Sequence, residues 1–455
     1  MKESIARLNT EIAQLRATGV AELQPMIDEK QAELYKKRES LNRLESRLFD
    51  LALSINKLIG SGTPVSERKR LAIEMFERGN SKGVVEILNE KDIAADAAQA
   101  CKEIEQGKLL VDSGRSLIEA GLQKTRSLAE EYVLRAKALM TDYAEPRRFE
   151  LACHAYEQGI ELIRANLSEK ELEESLFEYG YFLQINTRYD LAEARYRENL
   201  DICQRLAAIS PQAYGPSLAT IQNNLGVLCS DTQRYEESEE MYLSALNVYQ
   251  RLTVENPQVY EPDLAMTQNN LGCLYYNIRR YEDSEKMYLS AMEIYRRLAS
   301  VNPQVYEPDL ATTQYNLGCL YYNIQRYEDS EKMYLSAMEI RRRLAAANPQ
   351  VYEPGLVRAC NNLSFLFLAQ GNFEEAERYT REGSKYDSTH HTVYTNLAAS
   401  LLFQGRYAEA EEIYLRYKEE LKEDFLSDFE DFYRRGIIPP EREDDVERIK
   451  KLLSK

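Results

Sequence analysis

The most constraining feature of this sequence is an internal repeat with a period of 46 residues. The segment Arg251–Arg296 is followed directly by Arg297–Arg342, and these twin repeats agree at all but seven positions. A Leu-Gly dipeptide at 271–272 recurs at 317–318. A fixed period of this size predicts stacked supersecondary modules, each of which buries its apolar face only against its neighbours.

Each repeat is predicted to form two antiparallel helices, A and B. Helix A is expected from about 263 to 278 and again from 309 to 324, with Pro262 and Pro308 in its first turn, where a missing N–H costs nothing. Helix B is expected to start at the Arg-Tyr-Glu-Asp-Ser stretch and to end at an Asn-Pro dipeptide. The chain is therefore predicted to be all-helical, in agreement with its 19 glycines and 13 prolines in 455 residues.

When Leu271 is numbered position 7, large and small residues alternate at the positions where helices A and B meet. This pattern comprises Leu271, Gly272, Tyr275, Ser284, Tyr288 and Ala291, and it recurs one period later as Leu317, Gly318, Tyr321, Ser330, Tyr334 and Ala337. It resembles the tetratricopeptide repeat, and the long period is similar to the extended repeats of kinesin light chains and bacterial repeat proteins. The resemblance implies an all-α, right-handed α-solenoid that acts as a non-enzymatic protein-interaction scaffold or adaptor.

Four regions are predicted along the chain. Residues 1–62 are expected to form coiled-coil-like helices, 63–174 a degenerate helical region similar to the repeats, 175–418 the repeat array, and 419–455 an acidic C-terminal cap. Apolar residues at heptad spacing in the first region can either form a homodimer or pack back onto the array. If they oligomerise the chain, an alternative function is that of a structural assembly factor.

Positions 2, 5, 6, 9, 12 and 13 of helix A point away from helix B, onto the predicted concave face of the solenoid. This face is the expected peptide-binding groove. Its residues are Thr220, Asn223, Asn224, Met266, Asn269, Asn270, Cys273, Tyr276, Asn277, Thr312, Tyr315, Asn316, Cys319, Tyr322, Asn323, Arg358, Asn361 and Asn362. The asparagines can bind an extended peptide backbone, or they can bond to one another and hold neighbouring repeats in register.

Helix A of the twin repeats differs at only two positions, both on this predicted face. Met266 stands opposite Thr312, and Asn269 opposite Tyr315. Because both differences lie on the predicted groove, we hypothesise that the groove discriminates between partners. In the family that this pattern resembles, a carboxylate clamp binds the C-terminal acid of a chaperone peptide through basic residues at positions 2 and 5 of helix A. Here Arg358 is the one basic residue at these positions, so chaperone-tail binding is not expected.

Other classes of function are not expected. A net charge of −17 without a clustered basic face argues against nucleic acid. No apolar run reaches membrane-spanning length, and the charged N-terminal segment lacks a secretion signal, so a cytoplasmic location is expected. No nucleotide-binding or hydrolase motif occurs, and His154, His390 and His391 are the only histidines, so we expect neither catalysis, metal nor cofactor.

Overall fold

The computed structural model describes residues 66–109, 114–142, 144–386 and 392–454, together with Ser4, Arg7, Leu8, Glu11, Lys30, Glu33, Lys36 and Lys37. Every regular element in these ranges is a helix, as the sequence predicted. Contacts between Cα atoms divide the chain into two compact units, Met1–Leu228 and Cys229–Lys455.

The helices that begin in the first unit pack mainly against their neighbours in sequence. They are α1 (Glu67–Glu77), α2 (Ser81–Ile87), α3 (Glu90–Leu109), α4 (Gly114–Thr141), α5 (Arg148–Asn166), α6 (Glu169–Ile185), α7 (Tyr189–Ile209) and α8 (Pro211–Asp231), which runs into the second unit. A buried glutamate anchors their start, since Glu131 of α4 accepts hydrogen bonds from Ser66 and Arg68 at 2.7 Å each.

Apart from the buried Leu8, the heptad positions of residues 1–62 lie outside the described residues. Among the described ones, Lys30 forms an ion pair with Glu11 at 2.6 Å and Lys37 donates to Ser4 at 2.8 Å. The residues that Ser4 and Glu11 contact follow in the reverse order along the chain, as in an antiparallel pair. Whether this region dimerises stays a prediction.

The second unit contains the repeats and the C-terminal segment. Its helices are α9 (Tyr235–Glu255), α10 (Pro257–Asn277), α11 (Tyr281–Val301), α12 (Pro303–Asn323), α13 (Tyr327–Ala347), α14 (Pro349–Ala369), α15 (Phe373–Tyr386), α16 (Thr392–Phe403), α17 (Tyr407–Arg416), α18 (Lys418–Arg434) and α19 (Glu443–Ser454), with a 3₁₀ turn at Pro440–Arg442. From α9 to α17 each helix packs against the next, so the A and B helices alternate along this unit, and their buried residues form two hydrophobic clusters.

The predicted start of helix A was wrong by six residues. Asn256 ends helix B, and its non-helical backbone (φ −143°, ψ 82°) leads straight into the next helix, which has Pro257 at its first position. Pro262 therefore lies inside α10, and Pro308 lies inside α12 in the same way. A proline inside a helix is normally unfavourable. Here the helix continues because the tertiary packing that buries Leu264 and the residues after it outweighs the local preference.

Helices A and B approach closely where a glycine faces a tyrosine ring. A Cβ atom placed on Gly272 would lie 2.7 Å from a ring carbon of Tyr288, and one on Gly318 would lie 2.7 Å from Tyr334. Only a residue without a side chain fits at this distance, which is why the small position of the repeat is glycine here.

A buried serine adds a hydrogen bond to each of these contacts. Ser284 donates to the carbonyl of Gly272 and Ser330 to that of Gly318, both at 2.8 Å. In the next hairpin the residue types are exchanged between the helices, since Ser364 of helix A donates to the carbonyl of Ala376 of helix B at 2.9 Å. In each of these hairpins a buried serine thus ties the two helices together.

The turns from helix A to helix B contain one residue in the left-handed region. In the twin repeats it is Arg279 (φ 62°) and Gln325 (φ 61°), whereas Gly371 and Gly405 take the equivalent place in later hairpins. Helix B then begins at Tyr281 and Tyr327, as predicted. The non-glycine residues carry a backbone cost that the later turns avoid.

Candidate functional site

The predicted groove residues of the second unit lie on helices α10, α12 and α14, and together they define the groove face. Their exposed members are Met266, Asn277, Thr312, Asn323 and Arg358. The half-buried members are Asn269, Asn270, Cys273, Tyr276, Tyr315, Asn316, Cys319, Asn361 and Asn362. The predicted residues on α8 belong to the first unit, where Thr220 and Asn224 are half-buried and Asn223 is only 2% exposed.

The asparagine at position 6 of helix A donates to the residue at position 5 of the preceding repeat. Asn316 donates to Oδ1 of Asn269 at 3.2 Å, and Asn362 donates to the hydroxyl of Tyr315 at 2.9 Å. At the end of the array the spacing between successive A helices is shorter, and there Asn396 donates to Oδ1 of Asn361 at 2.9 Å. These three contacts form an amide ladder that connects successive A helices.

The ladder uses the amide nitrogens and leaves the amide oxygens of two rungs open. The Nδ2 atoms of Asn316 and Asn362 also approach the thiols of Cys273 and Cys319, at 3.5 and 3.6 Å. No described residue donates to Oδ1 of Asn316 or Asn362, and neither oxygen is fully buried. The side chains are therefore held in one orientation with an acceptor still available.

The C-terminal segment covers one predicted groove residue. Tyr322 is only 8% exposed, and its ring lies 5.6 Å from that of Phe365, which in turn lies 5.6 Å from Phe432 of α18. Arg435 donates to the Tyr322 hydroxyl at 3.2 Å and is held by an ion pair with Asp431 at 2.7 Å. Tyr322 is consequently not available at the groove face in this structure, because its hydroxyl and ring are used in packing.

A basic residue that the sequence analysis missed lies beside the same face. Arg341 of α13 is 8% exposed, its guanidinium lies 4.8 Å above the ring of Tyr315, and it donates to the carbonyl of Gly355 at 3.0 Å. Burial lowers the pKa of Arg341, and the nearby charge of Arg358 lowers this pKa further. Burial raises the pKa of Tyr315 to about 12, so this hydroxyl is neutral at pH 7.

The groove-face cysteines and His154 contact neighbouring side chains among the described residues. Burial raises the pKa of the Cys273 and Cys319 thiols, which keeps them protonated and unreactive. His154 contacts Glu90 at 2.9 Å, whereas His390 and His391 lie outside the described residues. Within the described ranges no three potential metal ligands cluster, and no helix is long and apolar enough to cross a membrane.

Comparison with protein families gives matches to the tetratricopeptide repeat at residues 171–251, 217–297 and 263–343, and to a second tetratricopeptide repeat model at 356–383 and 392–416. The chain is a tetratricopeptide repeat protein. Tetratricopeptide repeats support a protein-interaction scaffold in general, and the repeat family is generally non-enzymatic. The matches begin at residue 171, near the C-terminal end of the predicted degenerate region 63–174, so the assignment of that region stays a prediction.

Solved structures with similar folds include two at low sequence identity. The Pyrococcus horikoshii signal-transduction ATPase PH0952, which has a tetratricopeptide repeat sensor, is 13% identical with a TM-score of 0.52, covering 84% of this chain and 54% of that one. The apo form of RapI is 14% identical with a TM-score of 0.50, covering 80% and 97%.

A putative kinesin light chain from Podosopora anserina with nearly identical repeats is 13% identical with a TM-score of 0.37, covering 44% and 93%. A search of curated proteins found no match. These likenesses concern the fold alone.

Proposed function

We propose that this tetratricopeptide protein binds an extended segment of a partner protein along the groove face of α10, α12 and α14. The observation that carries the proposal is the amide ladder. It fixes Asn316 and Asn362 through their nitrogens and leaves one amide oxygen in each for a backbone N–H of the ligand. Side chains already held in a bound orientation lose little entropy on binding.

The two differences in helix A of the twin repeats support this proposal. Met266 is 36% exposed and its counterpart Thr312 is also exposed, so the first difference changes the surface. At the second, Asn269 and Tyr315 both accept a hydrogen bond from the next position-6 asparagine. The repeats therefore differ in what they offer a ligand while the ladder between them is kept.

The ligand is not expected to contact Tyr322, because Arg435 and α18 already cover this residue. The available surface runs over Met266, Thr312 and Arg358, with the open amide oxygens beside them. A peptide lying there contacts the A helices one after another, which is the reason for expecting an extended rather than a compact ligand.

The test exchanges the groove differences between the twin repeats. The variant Met266→Thr, Asn269→Tyr, Thr312→Met, Tyr315→Asn is immobilised beside the wild type, and both are offered a random library of amidated dodecapeptides. We expect the two proteins to retain different peptides, and each selected peptide to prefer the protein that selected it by about tenfold, which corresponds to about 1.4 kcal/mol. The thermal midpoint should fall only modestly, because both residue types can accept the ladder hydrogen bond at 269 and 315 while the Tyr315 ring beside Arg341 is lost.

A matched control exchanges Arg279 and Gln325, which also differ between the twins but lie in the turns away from the groove face. This control should retain the same peptides as the wild type. If the groove exchange leaves the selected peptides and their affinities unchanged, or if the wild type retains no peptide, the proposed function is wrong.

A further inference from the structure

Another difference between the twin repeats places a buried cation at the groove face. Tyr295 of α11 has Arg341 as its counterpart in α13. At the position that Gly355 occupies in α14, the A helices α10 and α12 carry Asp263 and Asp309. The two changes meet in space, because Arg341 donates to the carbonyl of Gly355 at 3.0 Å.

Tyr295 lies near the two aspartates, whereas its counterpart Arg341 has a glycine in the equivalent place. Burial and then the charges of Asp309 and Asp263 raise the pKa of Tyr295. At the later contact a Cβ atom on Gly355 would lie 3.2 Å from Cδ of Arg341, so the arginine stem fills the space next to the missing acid. An acid retained there would be placed to pair with the guanidinium, and it is absent.

Arg341 has no anionic partner among the described residues. Its contacts are the Gly355 carbonyl and the Tyr315 ring, and the charge that acts on it most strongly is the like charge of Arg358. A buried guanidinium without a counter-ion is strongly disfavoured, and a ring and one carbonyl offset only part of that cost. Arg358 is exposed on the groove face and forms no ion pair within the described ranges.

We propose that Arg341 and Arg358 bind the carboxylate of an Asp or Glu side chain in the partner segment. The proposal rests on the proposed function, because the ligand is the peptide in the groove. The guanidinium fork of Arg341 has one nitrogen held by Gly355, which leaves further donors for a planar carboxylate. The acid is internal to the segment, since the amide ladder continues on both sides of this point, through Asn316 and through Asn396.

The test compares three forms of the full chain against the amidated dodecapeptide library. Arg341→Tyr restores the residue of the twin repeat, and Gly355→Asp gives Arg341 an internal carboxylate. Peptides retained by the wild type should carry Asp or Glu at one fixed place, and both variants should lose that preference. For a selected peptide, replacing this Glu by Gln should weaken wild-type binding by at least about thirtyfold and should leave binding to Arg341→Tyr nearly unchanged.

Gly355→Asp provides an independent readout if Arg341→Tyr does not fold. Its new ion pair should raise the thermal midpoint while the acidic preference is lost. Asp309→Gly serves as a matched control, because it removes an acid beside Tyr295 and should leave the acidic preference intact.

Retained peptides without a fixed acid, or an acidic preference that persists in both Arg341→Tyr and Gly355→Asp, would overturn the carboxylate site and leave the groove proposal standing. Failure of the wild type to retain any peptide would overturn both.

Discussion

Tyr276 and Tyr322 occupy the same position in the twin repeats, and their neighbours in sequence are identical for six residues before them and two residues after them. Nevertheless Tyr276 is half-buried and bonds to Asn323, whereas Tyr322 is buried against Phe365 and beneath Arg435. The difference arises outside the repeats. It teaches that a groove position in an array acquires its role from the next repeat and from the chain end, even when its own repeat is duplicated almost unchanged.

The contacts of the arginine that precedes helix B are the same in the twins. Arg280 and Arg326 each bond to a glutamate of the preceding B helix at 2.7 Å, and each guanidinium lies 4.2 Å from a tyrosine ring of its own repeat. At this point the twin repeats therefore make equivalent contacts, both within the repeat and with the repeat before it. The following predictions test where this equivalence holds and where it ends.

The largest difference is expected from removing the two tyrosine rings. Tyr322→Ala should lower the free energy of unfolding by about 3 kcal/mol, because it deletes a buried aromatic side chain. Tyr276→Ala should cost about 1 kcal/mol, because its half-buried ring loses less apolar area. Urea denaturation of both variants, followed by circular dichroism, measures the difference. Equal losses would mean that the C-terminal segment does not stabilise Tyr322.

Replacing the close-packed glycines should affect both repeats alike. Gly272→Ala and Gly318→Ala each place a methyl group against a tyrosine ring, and each should cost about 2 kcal/mol through overpacking. The same denaturation experiment measures both. A loss in one repeat and none in the other would show that the hairpins are not energetically equivalent despite their matching geometry.

The third prediction concerns α18, which covers only the second of the twin tyrosines. Burial raises the pKa of Asp428 to about 6, and the charges of Asp424 and Asp431 contribute, while a hydrogen bond from Thr395 opposes the shift. Because the folded state holds this proton more tightly, the resulting stability is complete below the ordinary pKa of 3.8 and is lost as the pH rises through 6.

Asp428→Asn should therefore stabilise the protein by about 2 kcal/mol at pH 7.5 and have little effect near pH 4. Thermal unfolding at both pH values, with Glu430→Gln on the exposed side of α18 as the control, checks the prediction. A gain that is the same at both pH values would contradict the assignment to Asp428 ionisation.

The smallest effect is expected in the turns. Gln325→Gly and Arg279→Gly should each stabilise the protein by about 0.5–1 kcal/mol, because glycine avoids the cost of a side chain at positive φ. The reverse change, Gly371→Gln, should destabilise it. Denaturant midpoints measure both directions. Destabilisation by Gln325→Gly would show that the glutamine side chain makes a contribution larger than its backbone cost.

Sequence patterns predicted the helical class and the hairpin module correctly because the period and the large and small positions report how neighbouring helices pack. They misplaced the start of helix A, since Pro262 was interpreted by its local preference while the helix is decided by tertiary burial. The serine exchange between Ser284 and Ser364 was not foreseen, because a single hydroxyl can bridge two helices from either side. Arg341 differed between the twins in plain sequence, but its proximity to Gly355 is visible only in three dimensions.

The sequence alone determined that this chain folds as tetratricopeptide hairpins and predicted a set of groove positions on helix A, because both follow from periodicity within an element. The tertiary structure decided which of those positions remain available. Arg435, a residue 113 positions away, covers Tyr322. The side-chain nitrogens of Asn316 and Asn362 donate hydrogen bonds to the preceding repeat. Helical periodicity predicts which residues share a face of one helix, whereas the burial of a groove residue depends on side chains that are distant in sequence and pack against it.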